Sequence, residues 1–187
     1  DTWEWDGITW ALRSTTGPPP RTEHALDYDS KRGVTVLFGG RSDNQEVADT
    51  WEWDGRTWTL TTPSGGSVPA ARAGHRLAFD EQRGRVVLFG GRSGVFPNYT
   101  YHGDTWEWDG SAWTLRTDSS PSPRRQHSMA YASDRHTVVV YGGDTGYPRG
   151  VLDDVWEWDG AQWFPLGSGP SRREGHAMVH DRGRGVL

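Results

Sequence analysis

The sequence predicts an all-β protein built from repeated four-stranded units, and three observations support this prediction. The heptapeptide DTWEWDG begins at residues 1, 49 and 104 and returns as DVWEWDG at residue 154. A second block, such as PAARAGHRLAFDEQRGRVVLFGG, runs between successive copies. No segment carries the apolar period of an amphipathic helix. Self-similarity at a period of roughly 50 residues indicates that one structural unit is copied along the chain.

Each unit contains four short strands, taken here in order. The first, HALDY, has alternating side chains, and the second, VTVLF, is a β-branched and aromatic run that ends at a glycine pair. The third strand is TWEW, and the fourth is of the type TWALR. An Asp-Gly pair lies between the third and fourth strands, which predicts a two-residue turn with positive φ.

The twelve tryptophans all fall in one motif, W-E-W-D-G-x-x-W. Residues that recur in every unit serve a task common to every unit, so we expect the indoles to form the core between sheets. Stacking on a ligand is the alternative, but it predicts tryptophans in one unit only. The predicted core residues are Trp3, Trp5, Trp10, Trp51, Trp53, Trp58, Trp106, Trp108, Trp113, Trp156, Trp158 and Trp163.

The glycine pair, the third-strand aromatic and the tryptophan after the turn together resemble the kelch repeat. The glycine pairs are Gly39-Gly40, Gly90-Gly91 and Gly142-Gly143. The second tryptophan of WEW stands where kelch repeats usually have tyrosine, and the turn is the short WDG form. The scaffold is also similar to the propeller of galactose oxidase, but the copper-radical site of that enzyme requires a cysteine and this chain has none. The resemblance implies a β-propeller of four-stranded antiparallel blades.

We expect a single propeller or propeller fragment over residues 1–187, with units at about 1–48, 49–103, 104–153 and 154–187. The chain starts with the third and fourth strands of one unit and stops within the second strand of another, so it holds about four blades' worth. Three arrangements fit: a fragment of a larger propeller, two chains that complete a ring together, or a small four-bladed ring. We favour the fragment.

Composition narrows the function classes. The net charge of −5, with basic residues scattered along the chain, argues against a nucleic-acid partner. No apolar run is long enough to predict a membrane span. The absence of cysteine excludes disulfides and thiolate metal sites and leaves the compartment open. We slightly favour an extracellular or periplasmic location, and we predict no cofactor and no metal.

A repeated R-x-x-H pattern opens the first strand of each unit and gives eight candidates for a central channel. Four imidazoles could hold a transition metal, and guanidinium groups could hold a carboxylate or phosphate. The alternative, which we favour, is that these residues tie each first strand to a neighbouring blade. The candidates are Arg21, His24, Arg72, His75, Arg124, His127, Arg173 and His176.

The repeated acids also favour structural roles. The aspartates of the WDG turns should serve the turn backbone. The glutamates between two tryptophans could pair with a repeated arginine of the adjacent blade. The aspartates are Asp6, Asp54, Asp109 and Asp159, and the glutamates are Glu4, Glu52, Glu107 and Glu157.

Units differ most in the connection between the second and third strands, which reads RSDNQEVA, RSGVFPNYTYHG and DTGYPRGVLD. The middle connection carries Phe96, Tyr99, Tyr101 and His102, and aromatic residues on a variable loop indicate a recognition surface. The sequence therefore predicts a noncatalytic binding scaffold for a protein or carbohydrate partner. The alternatives are an enzyme with an Arg/His site at the channel mouth and a structural segment that completes a larger ring, with self-association as one route.

Overall fold

The computed structural model describes residues 1–117, 120–146, 148 and 150–187, and every regular element in them is a strand. The strands in chain order are β1 (Thr2–Trp5), β2 (Trp10–Ser14), β3 (Ala25–Asp29), β4 (Val34–Phe38), β5 (Arg41–Ser42), β6 (Gln45–Glu46), β7 (Thr50–Trp53), β8 (Trp58–Thr61), β9 (Arg76–Asp80), β10 (Arg85–Phe89), β11 (Arg92–Val95), β12 (Asn98–Tyr101), β13 (Thr105–Trp108), β14 (Trp113–Thr117), β15 (Ser128–Ala132), β16 (Thr137–Asp144), β17 (Val151–Trp158) and β18 (Trp163–Ser168).

Twelve of these strands form three antiparallel four-stranded sheets, which we call blades. Blade 1 has the order β3-β4-β7-β8, blade 2 has β9-β10-β13-β14, and blade 3 has β15-β16-β17-β18. The predicted four-stranded, all-β unit is therefore confirmed. Strands β1 and β2 form a separate hairpin, and the last residues contribute an isolated bridge between Asp181 and Val186.

Two indole hydrogen bonds join the third and fourth strands of each blade to the third and fourth strands of the unit before it. Trp108 Nε1 donates to Glu52 Oε1 at 2.9 Å, and Trp113 Nε1 donates to Thr50 Oγ1 at 2.9 Å, which connects blade 2 to blade 1. The same two contacts connect blade 3 to blade 2, and blade 1 to the β1–β2 hairpin. An indole N–H needs an acceptor when it is buried, so the Thr and Glu of TWEW complete the tryptophan contact of the next unit.

Burial of the tryptophans follows from this one-directional packing. Trp108 is 1 % exposed and Trp158 is fully buried, because a preceding blade covers each of them. Trp3, Trp5 and Trp10 differ from the predicted core burial, since they are 49 %, 52 % and 64 % exposed. In the part of the chain that the structure describes, no strand pair covers that face of the β1–β2 hairpin.

The WEW glutamates lie between two blades, but their arginine partners are not those expected. Glu52 Oε1 accepts from Arg32 Nη1 at 2.7 Å as well as from Trp108 of the next blade. Arg32 lies in the β3–β4 turn of the same blade, so the expected pairing with an arginine of the adjacent blade is wrong. The equivalent Arg83–Glu107 pair is also formed within one blade.

The turn after WEW also differs from the expected two-residue form. The last strand pair is Trp5↔Trp10, so the loop contains four residues, and Gly7 adopts the positive φ of 99°. Asp6 Oδ1 accepts the backbone N–H groups of Ile8 and Thr9, each at 2.8 Å. These hydrogen bonds lower the pKa of Asp6 because they favour the carboxylate. The aspartate therefore closes the turn from its side chain.

Substituting Trp108→Ala should destabilise the fold far more than substituting its equivalent Trp5→Ala. Loss of the buried Trp108 side chain leaves a cavity and removes one hydrogen-bond donor from Glu52. We expect this substitution to lower the free energy of unfolding by about 3–5 kcal/mol. Because Trp5 is half-exposed, Trp5→Ala should lower the free energy of unfolding by no more than about 1 kcal/mol. Urea unfolding followed by circular dichroism measures both, and equal losses would contradict the one-directional packing.

Candidate functional site

In three of the four R-x-x-H patterns the arginine is paired with a carboxylate of its own blade, whereas Arg173 of the fourth pattern donates to Ser171. Arg72 Nη1 and Nη2 donate to Asp104 Oδ1 and Oδ2 at 2.6 and 2.8 Å, and Nη1 also donates to the Gly90 carbonyl at 3.0 Å. The same bidentate arrangement recurs at Arg21–Asp49 and Arg124–Asp154. Arg72 and Arg124 are fully buried. Their guanidinium groups therefore connect the start of the first strand to the start of the third.

Three histidines of the pattern, His75, His127 and His176, face the preceding blade. His75 Nε2 lies 3.1 Å from the Phe38 carbonyl, and its ring packs edge-on against Phe38 of blade 1. His127 packs in the same way on Phe89, and His176 packs on Tyr141 and lies 2.7 Å from Ser128 Oγ. Burial, with the charge of Arg72 as the next cause, lowers the pKa of His75 to about 3. These imidazoles are neutral packing groups at neutral pH.

The glycine pair makes room for this contact. A Cβ on Gly90 would lie 2.5 Å from the Arg124 carbonyl and 2.8 Å from His127. The next residue, Gly91, donates its N–H to the same Arg124 carbonyl at 2.8 Å. Both glycines have positive φ, of 73° and 101°. A side chain on Gly90 would push the following blade away, and one on Gly91 would meet Ala73 and His75 at the start of its own blade.

Of the four predicted residues of the variable connection, Phe96 is the most exposed. The connection is a hairpin, β11–β12, and Phe96 lies at its tip with 82 % of its surface exposed. Tyr99 lies beside it, with the ring centroids 6.4 Å apart, and Arg92 Cζ lies 4.1 Å from the centre of the Tyr99 ring. The hairpin therefore presents the exposed ring of Phe96 beside Tyr99, and the Tyr99 ring stacks on the Arg92 guanidinium group.

The other two predicted residues hold the hairpin in place. Tyr101 packs on Gly146 in the β16–β17 connection of blade 3, where a Cβ would lie 2.7 Å from the tyrosine ring. His102 Nε2 lies 3.0 Å from Ser93 Oγ, and burial lowers the pKa of His102 to about 4. In the third variable connection, Tyr147 and Arg149 lie outside the described residues. The four aromatics thus divide into the exposed Phe96, the half-buried Tyr99 beside it, and the supporting pair Tyr101 and His102.

Comparison with protein families agrees with this geometry. The family model described as the KLHDC2/KLHL20/DRC7 Kelch-repeats domain matches residues 1–159. The chain is a kelch-repeat protein. Kelch domains in general serve as protein-interaction scaffolds, and this chain is an all-β kelch scaffold of that kind. The described residues contain no helix that is long and apolar enough to cross a membrane.

The first strands of the kelch blades lie side by side around a common cavity of about 730 Å3. Leu26, Leu77 and Met129 line it, and His176 is the one R-x-x-H residue on its wall. Arg21, Arg72 and Arg124 are instead held by the ion pairs described above. No group of three His, Asp or Glu residues able to hold a metal occurs among the described residues. A channel role for the R-x-x-H residues remains a prediction.

Sequence reasoning missed two arginines near these surfaces, Arg76 and Arg92. Arg76 lines the cavity, donates to the His75 carbonyl at 3.1 Å, and has its pKa lowered by burial. Arg92 supports Tyr99 from beneath. At the position of Arg76 the other units have Ala25, Ser128 and Ala177. A charged residue at one position of one repeat is the signal that could have identified it.

The buried ion pair of Arg72 gives a prediction for stability. Substituting Arg72→Met leaves Asp104 with an uncompensated charge, which we expect to lower the free energy of unfolding by about 3–5 kcal/mol. The matched control Arg13→Met breaks the exposed pair with Glu4 and should change it by less than about 1 kcal/mol. Chemical unfolding of the two variants distinguishes these values. A small effect at Arg72 would show that the pair is dispensable.

The histidine contact predicts loss of stability in acid. Because the folded-state pKa of His75 lies below that of the unfolded chain, the unfolded state binds the proton first. Stability should be complete above about pH 6.5 and should fall toward about pH 3, by roughly 1.4 kcal/mol per pH unit for this group. His75→Gln keeps a donor for the Phe38 carbonyl and cannot be protonated there. Unfolding midpoints measured at several pH values should show a shallower decline in this variant, and an unchanged decline would exclude His75 as a source.

Proposed function

We propose that this kelch scaffold binds a protein partner through the tip of the β11–β12 hairpin, with Phe96 as the principal contact. The observation that supports this proposal is the 82 % exposure of Phe96 on a hairpin held to its own blade and to blade 3. Large aromatic side chains on rigid supports are typical of the residues that dominate binding energy. Rigidity also reduces the ordering entropy lost on binding.

The neighbouring residues favour a protein over a carbohydrate. Val95 is 68 % exposed beside Phe96, and Pro97 completes an apolar tip. Sugar binding requires a dense set of hydrogen-bonding side chains next to the ring, whereas this tip suits an apolar pocket on a partner protein. The polar tip of the β5–β6 hairpin, at Asp43 and Asn44, differs in chemistry from the β11–β12 tip. Unit-specific tips of this kind give a repeat scaffold its partner specificity.

A photocrosslinking amino acid placed at position 96 should capture the partner from an extract of the source cells, and one placed at Val68 should not. Val68 is an exposed apolar residue outside the hairpin and serves as the matched control. With the captured protein purified, Phe96→Ser should weaken binding by about 2 kcal/mol, or roughly thirtyfold in Kd, while Val68→Ser leaves it unchanged. Equal binding by both variants would refute the role of Phe96. Binding to a glycan array that is lost in Phe96→Ser would identify a carbohydrate partner instead.

Self-association is a second candidate function. It is supported by the β1–β2 hairpin, on which Trp5 and Trp10 are exposed although the same tryptophans of the blades are covered by a preceding unit. A chain that associates in this way would complete a row of blades with a second copy. Its mass in solution would rise with concentration from 20.9 kDa to multiples of that value.

A further inference from the structure

Arg92, the first residue of the β11–β12 hairpin, is a buried arginine with few acceptors. The residue is 5 % exposed, and among the described residues its Nε and Nη1 atoms have no hydrogen-bond partner. The Tyr99 ring covers the guanidinium group, and the carboxylate that faces it is Glu23, whose Oε2 lies 3.7 Å from Arg92 Nη2. A buried charge without compensation is costly, so the Glu23 carboxylate matters to the position of Arg92.

This carboxylate comes from a different blade. Glu23 lies in the R-x-x-H segment that leads into blade 1, whereas Arg92 follows the glycine pair of blade 2. The Arg92–Glu23 contact therefore joins two blades. The charged residues at the position of Arg92 in the other two blades pair within their own unit, as Arg41 with Glu46 and Asp144 with Arg125.

The backbone of Glu23 indicates that its side chain is retained for a purpose. Glu23 has a φ of 54°, in the left-handed region, where a residue with a side chain is strained. The equivalent residue of blade 2 is Gly74, which adopts a φ of 71° without that strain. Glu23 extends its carboxylate over this glycine, since a Cβ on Gly74 would lie 3.6 Å from Glu23 Oε2. Glycine would suit the backbone at position 23, but it would leave Arg92 without this carboxylate.

The hairpin is thus held from both neighbouring blades. Blade 1 contacts it through Glu23, Arg92 and the Tyr99 ring. Blade 3 contacts it through Gly146, on which Tyr101 packs. Phe96 lies beyond the supported ring, with its centroid 6.4 Å from that of Tyr99. Contacts on two sides fix the direction in which the tip points.

We infer that Glu23 is a positioning residue of the recognition hairpin, acting through Arg92 and Tyr99 rather than by contacting the partner. This inference rests on the proposed binding role of Phe96 and adds the device that orders its hairpin. Ordering the hairpin before binding reduces the entropy that is lost in the complex. The strained backbone of Glu23 is then a cost in stability that serves binding.

The test is hydrogen exchange of the amides in residues 92–101, followed by mass spectrometry. Glu23→Gly removes the carboxylate and suits the left-handed backbone, so the hairpin amides should exchange at least about fivefold faster while the fold stays intact. Amides of β10 and β13 in the same blade should exchange as in wild type. The matched control is Gln126→Gly, because Gln126 has the same backbone conformation, with a φ of 53°, and carries no charge. It should leave the hairpin unaffected.

Two further variants test whether Glu23 acts through Arg92. Glu23→Gln keeps the length of the side chain and removes its charge, so it should also accelerate exchange of the hairpin. In the double variant Glu23→Gly with Arg92→Met, the hairpin should exchange no faster than in Arg92→Met alone. Additive effects would overturn the inference. Equal exchange in Glu23→Gly and wild type, or an acceleration spread evenly over all strands, would overturn it as well.

Binding measurements separate this inference from the proposed function. Glu23→Gly should weaken binding to the protein captured through position 96 roughly fivefold in Kd, measured by isothermal titration calorimetry. If Phe96→Ser weakens this binding and Glu23→Gly does not, the positioning role is refuted and the proposed contact stands. If Phe96→Ser leaves binding unchanged although Glu23→Gly loosens the hairpin, the proposed function is refuted and the coupling of Glu23 to the hairpin stands.

Discussion

The hydrogen bond from a buried indole to the carboxylate of the preceding blade is the interaction on which the arrangement of this chain depends. It requires Trp and Glu on opposite faces of the same strand, so that each third strand donates in one direction and accepts from the other. Glu52 shows the consequence, because it receives Trp108 of the next blade and Arg32 of its own. A partly buried carboxylate with two donors is compensated, and the blades can pack together without leaving a charge unpaired.

A second layer of contacts fixes the first strands and the glycine pair. Arg72 reaches Asp104 across its own blade, and the backbone carbonyls of the repeated arginines accept from the glycines of the preceding blade. The backbone of the R-x-x-H segments also continues from unit to unit, with Gly74 N–H donating to the Glu23 carbonyl and Gln126 N–H to the Gly74 carbonyl. The repeated polar residues are thus engaged in contacts that hold the blades together. Variation is therefore left to the hairpins, where β11–β12 differs most from its counterparts.

The candidate site illustrates how far sequence reasoning reaches. Phe96, Tyr99, Tyr101 and His102 could be selected from sequence because they occur in one unit, in the connection that varies in length. Their division into an exposed tip and a supporting base could not be predicted. It depends on contacts with distant residues, namely Tyr101 with Gly146 and Tyr99 with Arg92. The register of the β11–β12 hairpin, in which Arg92 lies opposite Tyr101 and Gly94 opposite Tyr99, decides which side chains share a face.

The sequence by itself determined the repeat, the four strands of each unit and the kelch class, because period-two patterning, glycine pairs and WEW motifs are local signals repeated several times. Only the tertiary structure decided the partners of the charged residues and the burial of each tryptophan. Glu52 pairs with an arginine of its own blade. Trp5 is exposed while Trp108 is buried, although both residues lie in the same heptapeptide sequence. The reason is physical: identical heptapeptides differ in what lies against them, and burial and charge compensation are properties of neighbours in space.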